Sequence, residues 1–284
     1  MTSITLKEPI SAPPRHVLAA FGLSGSVVRL AGGAGRTFRC GGAVLKPTED
    51  PVAAAWNAEV LNELADLPED GFHIPRPMAA RSGGWVADGW TSFEYYHGEH
   101  PRTARWPDIL AVSVAFHRAL AQLQLPRPDF LDQSTDWWSV GDRVAWSEAE
   151  VTPPAPLGPL LSELQDQLRR VDDLPSQVIH GDLGGNVLFA PGSAPAVIDF
   201  AAYFRPAGFA AAIVVVDALV WEGADPGLLE LVADWPHMGQ LLFRAMIYRI
   251  VTTGEASPQD AERLEREVRA NRPVLDLLRN RFGE

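Results

Sequence analysis

The hydrophobic period of this chain changes once, near residue 97, and that change limits the folds open to it. From Ser26 to about Tyr96 apolar residues come in short runs, SVVRL, RTFRC and GAVLK, separated by glycine clusters, the pattern of a small antiparallel meander. PVAAAWNAEVLNELADL follows with apolar residues at helical spacing behind Pro51, and RPMAARS and WTSFEYY return to strand character, so this part reads β-β-β-α-β-β. After HGEHP the runs lengthen and turn helical: ILAVSVAFHRALAQL, PLLSELQDQLRRV, GFAAAIVVVDALVW, GLLELVADW, MGQLLFRAMIYRIV and DAERLEREVRANR. Residues 127–159, rich in Pro, Asp and Trp, predict loops or short helices. VIH, VLF and AVID are the clear β signal of this second part. The expectation is an α+β chain with two lobes: residues 1–96 built on a small antiparallel sheet with one helix, and residues 97–284 mainly helical.

Composition supports that size of fold. The chain has 284 residues, 46% of them hydrophobic, enough for two real cores. One cysteine, Cys40, excludes an intrachain disulfide, and no Cys/His spacing suits structural zinc, which fits a reducing cytoplasm. The longest uncharged apolar stretch, Pro206 to Val216, is too short to span a bilayer, and the N-terminus has no apolar leader core, so the expectation is a soluble cytoplasmic protein with no membrane partner. A net charge of -12, without a Lys/Arg stripe, argues against a nucleic-acid partner; it suits an amine-bearing small substrate, and equally serves solubility alone. Of 24 Lys plus Arg, only Lys7 and Lys46 are lysines, so Lys46 stands out. Composition leaves the oligomeric state open.

VIHGDLGGNVLF, residues 178–189, and VIDF, residues 197–200, carry the chemistry. Phosphoryl transfer needs an oriented acceptor hydroxyl, a cation to neutralise phosphate oxygens, and groups that hold both in line. Asp182 can orient the hydroxyl, and the hard oxygens of Asn186 and Asp199 suit Mg²⁺. A strand from Val187 to Phe189 paired with Ala196 to Ile198 would bring Asn186 and Asp199 to one end of a hairpin. The plainer alternative is a β-hairpin with a polar loop. In AGGAGRTF, Gly32, Gly33 and Gly35 would let backbone N–H groups approach a phosphate, or simply make a hairpin turn. Lys46 ends a strand and offers a compact ammonium for α/β-phosphates, the alternative being a solvated strand end. Glu59, thirteen residues on and on the next helix, is placed to pair with it or to stay on the surface.

Together these residues resemble the HGDxxxxN and IDF/IDW motifs of the aminoglycoside phosphotransferase and choline kinase type of kinase-like enzymes, and the likeness runs on through VLK, FEYYHGE and FHRAL. The resemblance implies a two-lobed protein-kinase-like fold and a Mg²⁺-dependent phosphotransferase that moves the γ-phosphoryl of ATP or GTP to a hydroxyl of a small molecule. It implies Asp182 as the catalytic aspartate, Asn186 and Asp199 as metal ligands, Lys46 as the phosphate-binding lysine with Glu59 as its partner, Gly33 and Gly35 as the glycine turn, and backbone at Glu94, Tyr95 and Tyr96 as the adenine contact. His180 then braces the loop, and His117 is a core helix residue.

The sequence departs from the family pattern twice. Asp182 and Asn186 stand four positions apart where relatives have five, and GFAAA occupies the stretch where relatives carry an Asp-Leu-Ala motif. Gly184 and Gly185 give the shorter loop the freedom to deliver Asn186. Acidic residues in the helical part, Asp132, Asp136, Asp217, Glu222 and Asp225, with Trp137 and Trp138, are either a pocket for an amine-bearing acceptor or ordinary surface and core. His97 and His100 read as polar loop residues. The shortened loop also admits a second reading, a nucleotide-binding pseudokinase or regulatory module; a two-metal hydrolase lacks the further His/Asp cluster it needs.

Overall fold

The three glycine-punctuated runs form strands where the alternation predicts them. In the computed structural model, which describes residues 10–31, 35–68, 71–101 and 105–283, a short helix α1 (Arg15–Ala20) not expected from the sequence comes first. Strands β1 (Val27–Arg29), β2 (Phe38–Cys40) and β3 (Ala43–Pro47) follow, then helix α2 (Pro51–Leu64), β4 (Val86–Ala87) and β5 (Trp90–Glu94). They make one antiparallel sheet in the order β1-β2-β3-β5-β4. Cys40 faces Ala43 across a two-residue turn in which Gly41 takes φ 61. Ala87 faces Trp90 across Asp88 and Gly89, both at positive φ, the geometry that suits an Asp-Gly hairpin.

That turn corrects one expectation. RPMAARS is not a strand: it meets β5 through a single bridge, Pro77 to Phe93, and the partner strand is Val86–Ala87 instead. Pro77 has no N–H to give a ladder. Asp50 starts α2 by accepting from Val52 and Ala53 N–H, both at 3.0 Å, with Pro51 at the first helical position; a cap of this kind contributes about 1 kcal/mol. Val17 and Leu18 of α1, with Phe21 just after it, bury against Phe38, Cys40, Leu45 and Trp90 of the sheet.

The remaining chain is mainly helical. It contains α3 (Trp106–Gln122), α4 (Phe130–Gln133), α5 (Trp137–Ala145), α6 (Gly158–Gln165), strands β6 (Gln177–His180), β7 (Val187–Leu188), β8 (Ala196–Val197) and β9 (Ala202–Arg205), then α7 (Ala207–Trp221), α8 (Met238–Ala256) and α9 (Ala261–Phe282). GLLELVADW gives only a six-residue 3-10 helix, Pro226–Leu231, capped by Asp225. β6 pairs antiparallel with β9, a strand the sequence reading did not separate out, and β7 pairs with β8. Buried Arg205 is held by Asp142 (2.7 Å) and Glu148 (2.7 Å), so its charge enters the core fully partnered. Among the described residues no helix is long and apolar enough to cross a membrane.

By compactness the chain divides into two units. One runs to Pro101 and takes in Asn186–Phe200; the other runs from 105 to Gly185 and resumes at Ala201. The sequence reading places one cut at 96/97. Compactness also assigns the β7–β8 hairpin to the first unit, where His73 bridges to Ala196 and Glu99 to Phe189.

Candidate active site

In the unit that holds the sheet, the β7–β8 hairpin joins the two stretches expected to pair, as two-residue strands set one residue from an end-to-end alignment of 187–189 with 196–198. Val187 faces Val197, Leu188 faces Ala196, and Ile198 N–H donates to Asn186 C=O at 2.9 Å. Asn186 and the Ile198–Asp199 segment therefore stand at one end of the hairpin. Asp199 takes φ 52, a conformation that non-glycine residues adopt at a cost of about 1 kcal/mol or more and that concentrates at functional positions. Its carboxylate Oδ1 accepts from Lys46 Nζ, which reaches it from β3.

Lys46 is 21% exposed and Asp199 35%. Burial lowers the Lys46 ammonium to about 8, and the adjoining carboxylate works the other way, favouring the charged form. Beside the pair lies a cavity of about 380 Å³ lined by Arg36, Thr37, Lys46, Pro47, Thr48, Glu49 and Asp199. Its two cationic side chains are each paired with a carboxylate, Lys46 with Asp199 and Arg36 with Glu49 at 3.0 Å, and with the Thr37 and Thr48 hydroxyls they offer donors to phosphate oxygens beside acidic oxygens suited to a cation. Gly35, at φ 71, begins the turn that leads into Arg36; Gly33 lies outside the described residues.

The expected Lys46–Glu59 pair is not formed. Glu59 is exposed on α2, while Lys46 meets Asp199. The α2 residue that faces the hairpin is Asn57, which the sequence reading passed over. Its Nδ2 donates to Phe200 C=O at 3.1 Å, and its Oδ1 is buried without a hydrogen-bond partner.

At Glu94, Tyr95 and Tyr96 the backbone is partly committed. Glu94 N–H donates to Arg76 C=O and Tyr95 N–H to Gly42 C=O, each at 2.8 Å. Among the described residues the Tyr96 amide has no partner. The Tyr95 ring lies under the Arg39 guanidinium, 3.8 Å from its centroid, and the Tyr96 hydroxyl donates to Ala194 C=O at 2.7 Å.

The helical unit builds a second cluster around Asp182. β6 ends at His180, which is fully buried. His180 N–H donates to His117 Nε2 at 3.0 Å, so that nitrogen is the acceptor and Nδ1 carries the proton it donates to Ser113 C=O at 2.7 Å. Burial pushes His117 down to about 4, keeping it neutral. Asp182 N–H in turn donates to His180 Nδ1 at 3.2 Å. His180 thus braces the loop, as the sequence reading has it. Gly181 is required: a Cβ there would stand 2.1 Å from the Tyr203 ring.

The Asp182 side chain, 44% exposed, accepts at Oδ1 from Arg249 Nη2 at 2.8 Å. Arg249, on α8 and 6% exposed, also grips Asp217 of α7 through Nε at 2.8 Å and through Nη2. Burial raises Asp217 to about 6 against the pull of Arg249. The other acidic candidates have local duties. Asp132 binds Arg127, Asp136 caps α5, Asp225 caps the 3-10 helix and Glu222 accepts from Trp106 Nε1. Trp138 lies 6.1 Å from the Tyr248 ring. Sequence reading missed Arg249, although an arginine in the apolar run MGQLLFRAMIYRIV demands a buried partner.

Among the described residues no group of three or more His, Cys, Asp or Glu is placed to hold a metal. The donor set at the hairpin, one carboxylate and one amide oxygen, fits a hard divalent cation that completes its coordination with phosphate and water.

Residues 22–204 match the phosphotransferase enzyme family. The chain belongs to that family. The match spans Lys46, Asp182, Asn186 and Asp199 and ends before Asp217 and Arg249. No curated protein sequence matches the chain at a significant level. Among solved structures, this family member is similar to a choline kinase from Streptococcus pneumoniae, with 12% identity, 94% of this chain and 97% of that one covered, and a TM-score of 0.54. An amicoumacin kinase solved with AMP-PNP, Ca²⁺ and Ami gives 14% identity, 88% of each chain covered and a TM-score of 0.57. An aminoglycoside phosphotransferase solved with ADP and hygromycin B gives 16% identity, 95% of this chain and 99% of that one covered, and a TM-score of 0.57. At these identities the likeness is one of fold, and the fold is kinase-like and α+β.

Proposed function

We propose that this family member transfers the γ-phosphoryl group of ATP or GTP, with Mg²⁺, to a hydroxyl of a small molecule. The observation that carries the reading is the meeting of Lys46 with Asp199 at the end of the hairpin that also bears Asn186. Three residues from two distant stretches of sequence thereby supply a cation for phosphate and two oxygens for metal. The ligands of the similar structures, AMP-PNP with Ca²⁺ in one and ADP with hygromycin B in another, support a nucleotide donor and a small-molecule acceptor.

In this reading Lys46 and Arg36 bind donor phosphates, with the Tyr96 amide and the Glu94 carbonyl on the adenine edge. Asn186 and Asp199 hold Mg²⁺, which when bound neutralises charge on the phosphate oxygens. Asp182 accepts a hydrogen bond from the acceptor hydroxyl, orients its oxygen toward the γ-phosphorus, and takes the proton as the new P–O bond forms and the bond to the β-phosphate oxygen breaks. The family's acceptors include choline and aminoglycosides, and an amine-bearing alcohol suits the acidic chain; fold alone does not choose among them.

Single-turnover transfer from γ-labelled ATP or GTP, across a panel of aminoglycosides, choline and amino sugars, tests the reading. Wild type is expected to transfer label in a Mg²⁺-dependent way, and Asp182→Asn to lose that transfer by about 10³-fold or more while binding nucleotide normally. Equal behaviour of the two proteins, with Mg-nucleotide still raising the melting temperature, would leave a nucleotide-binding module in place of an enzyme.

A further inference from the structure

Arg249 lies in α8, outside the segment that matches the family, yet it touches the aspartate on which the proposed chemistry depends. Its neighbours Met246, Ile247, Tyr248, Ile250 and Val251 are buried and almost all apolar. A guanidinium in such a place is costly, and an apolar side chain of similar size would often stabilise the fold as well or better. The arginine therefore calls for an explanation beyond packing.

Its hydrogen bonds give one. Asp217 takes the Nε/Nη2 edge of the guanidinium with both carboxylate oxygens, which fixes the plane and rotation of the fork. The second hydrogen of Nη2 then points to Asp182 Oδ1, at 2.8 Å. The Arg249 guanidinium also lies 5.4 Å from the Trp138 ring centroid on α5, a cation–π contact on a further side. Two neighbouring elements, α7 and α5, thus hold one donor of α8 in one direction. An aspartate on a glycine-flanked loop otherwise has a broad χ2 well, and a donor that engages Oδ1 selects one carboxylate orientation. A lysine at 249 would bring charge without this geometry, because its ammonium is a rotatable point donor.

We propose that Arg249, oriented by Asp217, is a positioning residue that sets the carboxylate of Asp182 for the acceptor hydroxyl. This role rests on the phosphotransferase reading above and adds residues that lie outside the family match.

The test combines Arg249→Lys with Asp182→Asn in a double-mutant cycle read by single-turnover transfer from Mg-ATP to the best acceptor of the panel, with the nucleotide dissociation constant and the melting temperature measured alongside. Arg249→Lys is expected to lower kcat by about 10- to 100-fold, with KM for nucleotide and acceptor changed by less than about threefold. In the Asp182→Asn background the same change is expected to cost almost nothing further, because the carboxylate it positions is gone. A residue that only supports the fold would give the same loss in both backgrounds, and that additivity would overturn the proposal, as would wild-type kcat in Arg249→Lys. Should Arg249→Lys fold poorly, the apolar pair Arg249→Met with Asp217→Leu removes both buried charges together; it is expected to keep the wild-type melting temperature within a few degrees and still lose kcat. Full kcat in that variant also overturns the role. If wild type and Asp182→Asn transfer alike, the phosphotransferase reading fails and this role with it; if only the cycle is additive, the reading stands and the role of Arg249 alone falls.

Discussion

At the scale of single residues, the loop that presents Asp182 depends on a neutral histidine and a missing side chain. His117 accepts the His180 N–H through Nε2, and an imidazolium has no lone pair there to accept with. Burial lowers its folded-state pKa to about 4, below the ordinary value of 6.5. The unfolded chain therefore binds the proton first as pH falls. The stabilisation from neutral His117 is complete above about pH 6.5 and is lost progressively down to about pH 4, a change of about 3 kcal/mol. Asp217, raised to about 6, has the opposite sign and stabilises the fold as the pH falls through the same window. A bare wild-type curve would mix the two. The expected result is that the unfolding free-energy gap between wild type and His117→Gln, measured by urea melts, narrows from pH 7 to pH 4; a gap independent of pH would sink this account. Gly181 is simpler: Gly181→Ala drives a Cβ into the Tyr203 ring and is expected to cost about 3 kcal/mol or more, read as a lowered urea midpoint.

At the scale of elements, helix α2 shows what sequence could and could not say. Its start was legible, because Asp50 and Pro51 are a cap and a first-turn residue whatever the helix packs on. Its facing was misread: a charge complementary to Lys46 drew attention to Glu59, whereas at helical spacing Asn57 stands among Ala53, Ala54, Val60 and Leu61 and Glu59 beside Asn62 and Glu63, and the packing accordingly puts Asn57 toward Phe200 and Glu59 outward. The prediction is that Glu59→Ala changes stability by less than about 0.5 kcal/mol and leaves transfer intact, whereas Asn57→Ala removes the bond to Phe200 C=O and costs about 1 kcal/mol with a measurable loss of Mg-nucleotide affinity. The reverse ranking in denaturant melts and nucleotide titrations would restore Glu59. The β7–β8 hairpin was legible for the opposite reason. Its two apolar segments are short and bounded by polar residues, which marks what pairs; the burial of both Val187 and Val197 and the Ile198 N–H bond to Asn186 C=O then set the register, one residue from an end-to-end alignment. The strand expected at 76–82 went wrong because its apolar residues outweighed Pro77, while the Asp88–Gly89 turn that marks the real hairpin joins a strand only two residues long.

At the scale of the whole molecule, the bias toward arginine is a chemical handle. The sequence has two lysines, Lys7 and Lys46, so an amine-reactive reagent has few targets and mass spectrometry can assign each one directly. Burial lowers the Lys46 ammonium to about 8, so near pH 8 to 9 a substantial part of its population is the neutral, nucleophilic amine, although the Asp199 carboxylate beside it favours the charged form and slows the reaction. An ordinary lysine, with pKa about 10.4, would be almost wholly protonated there. Under the proposed function, Mg-ATP would place phosphate oxygens against the same ammonium and fill the cavity beside it. Acylation at pH 8.5 is therefore expected to modify Lys46, to abolish phosphoryl transfer in step with that modification, and to slow several-fold when Mg-ATP is present. Chelating the metal with EDTA is expected to remove most of the protection, because under the proposed function a cation held by Asp199 and Asn186 would tie the phosphates to this end of the hairpin. Equal Lys46 labelling with and without Mg-ATP would separate the lysine from the nucleotide, and the assignment of this cavity to donor phosphates would have to be given up.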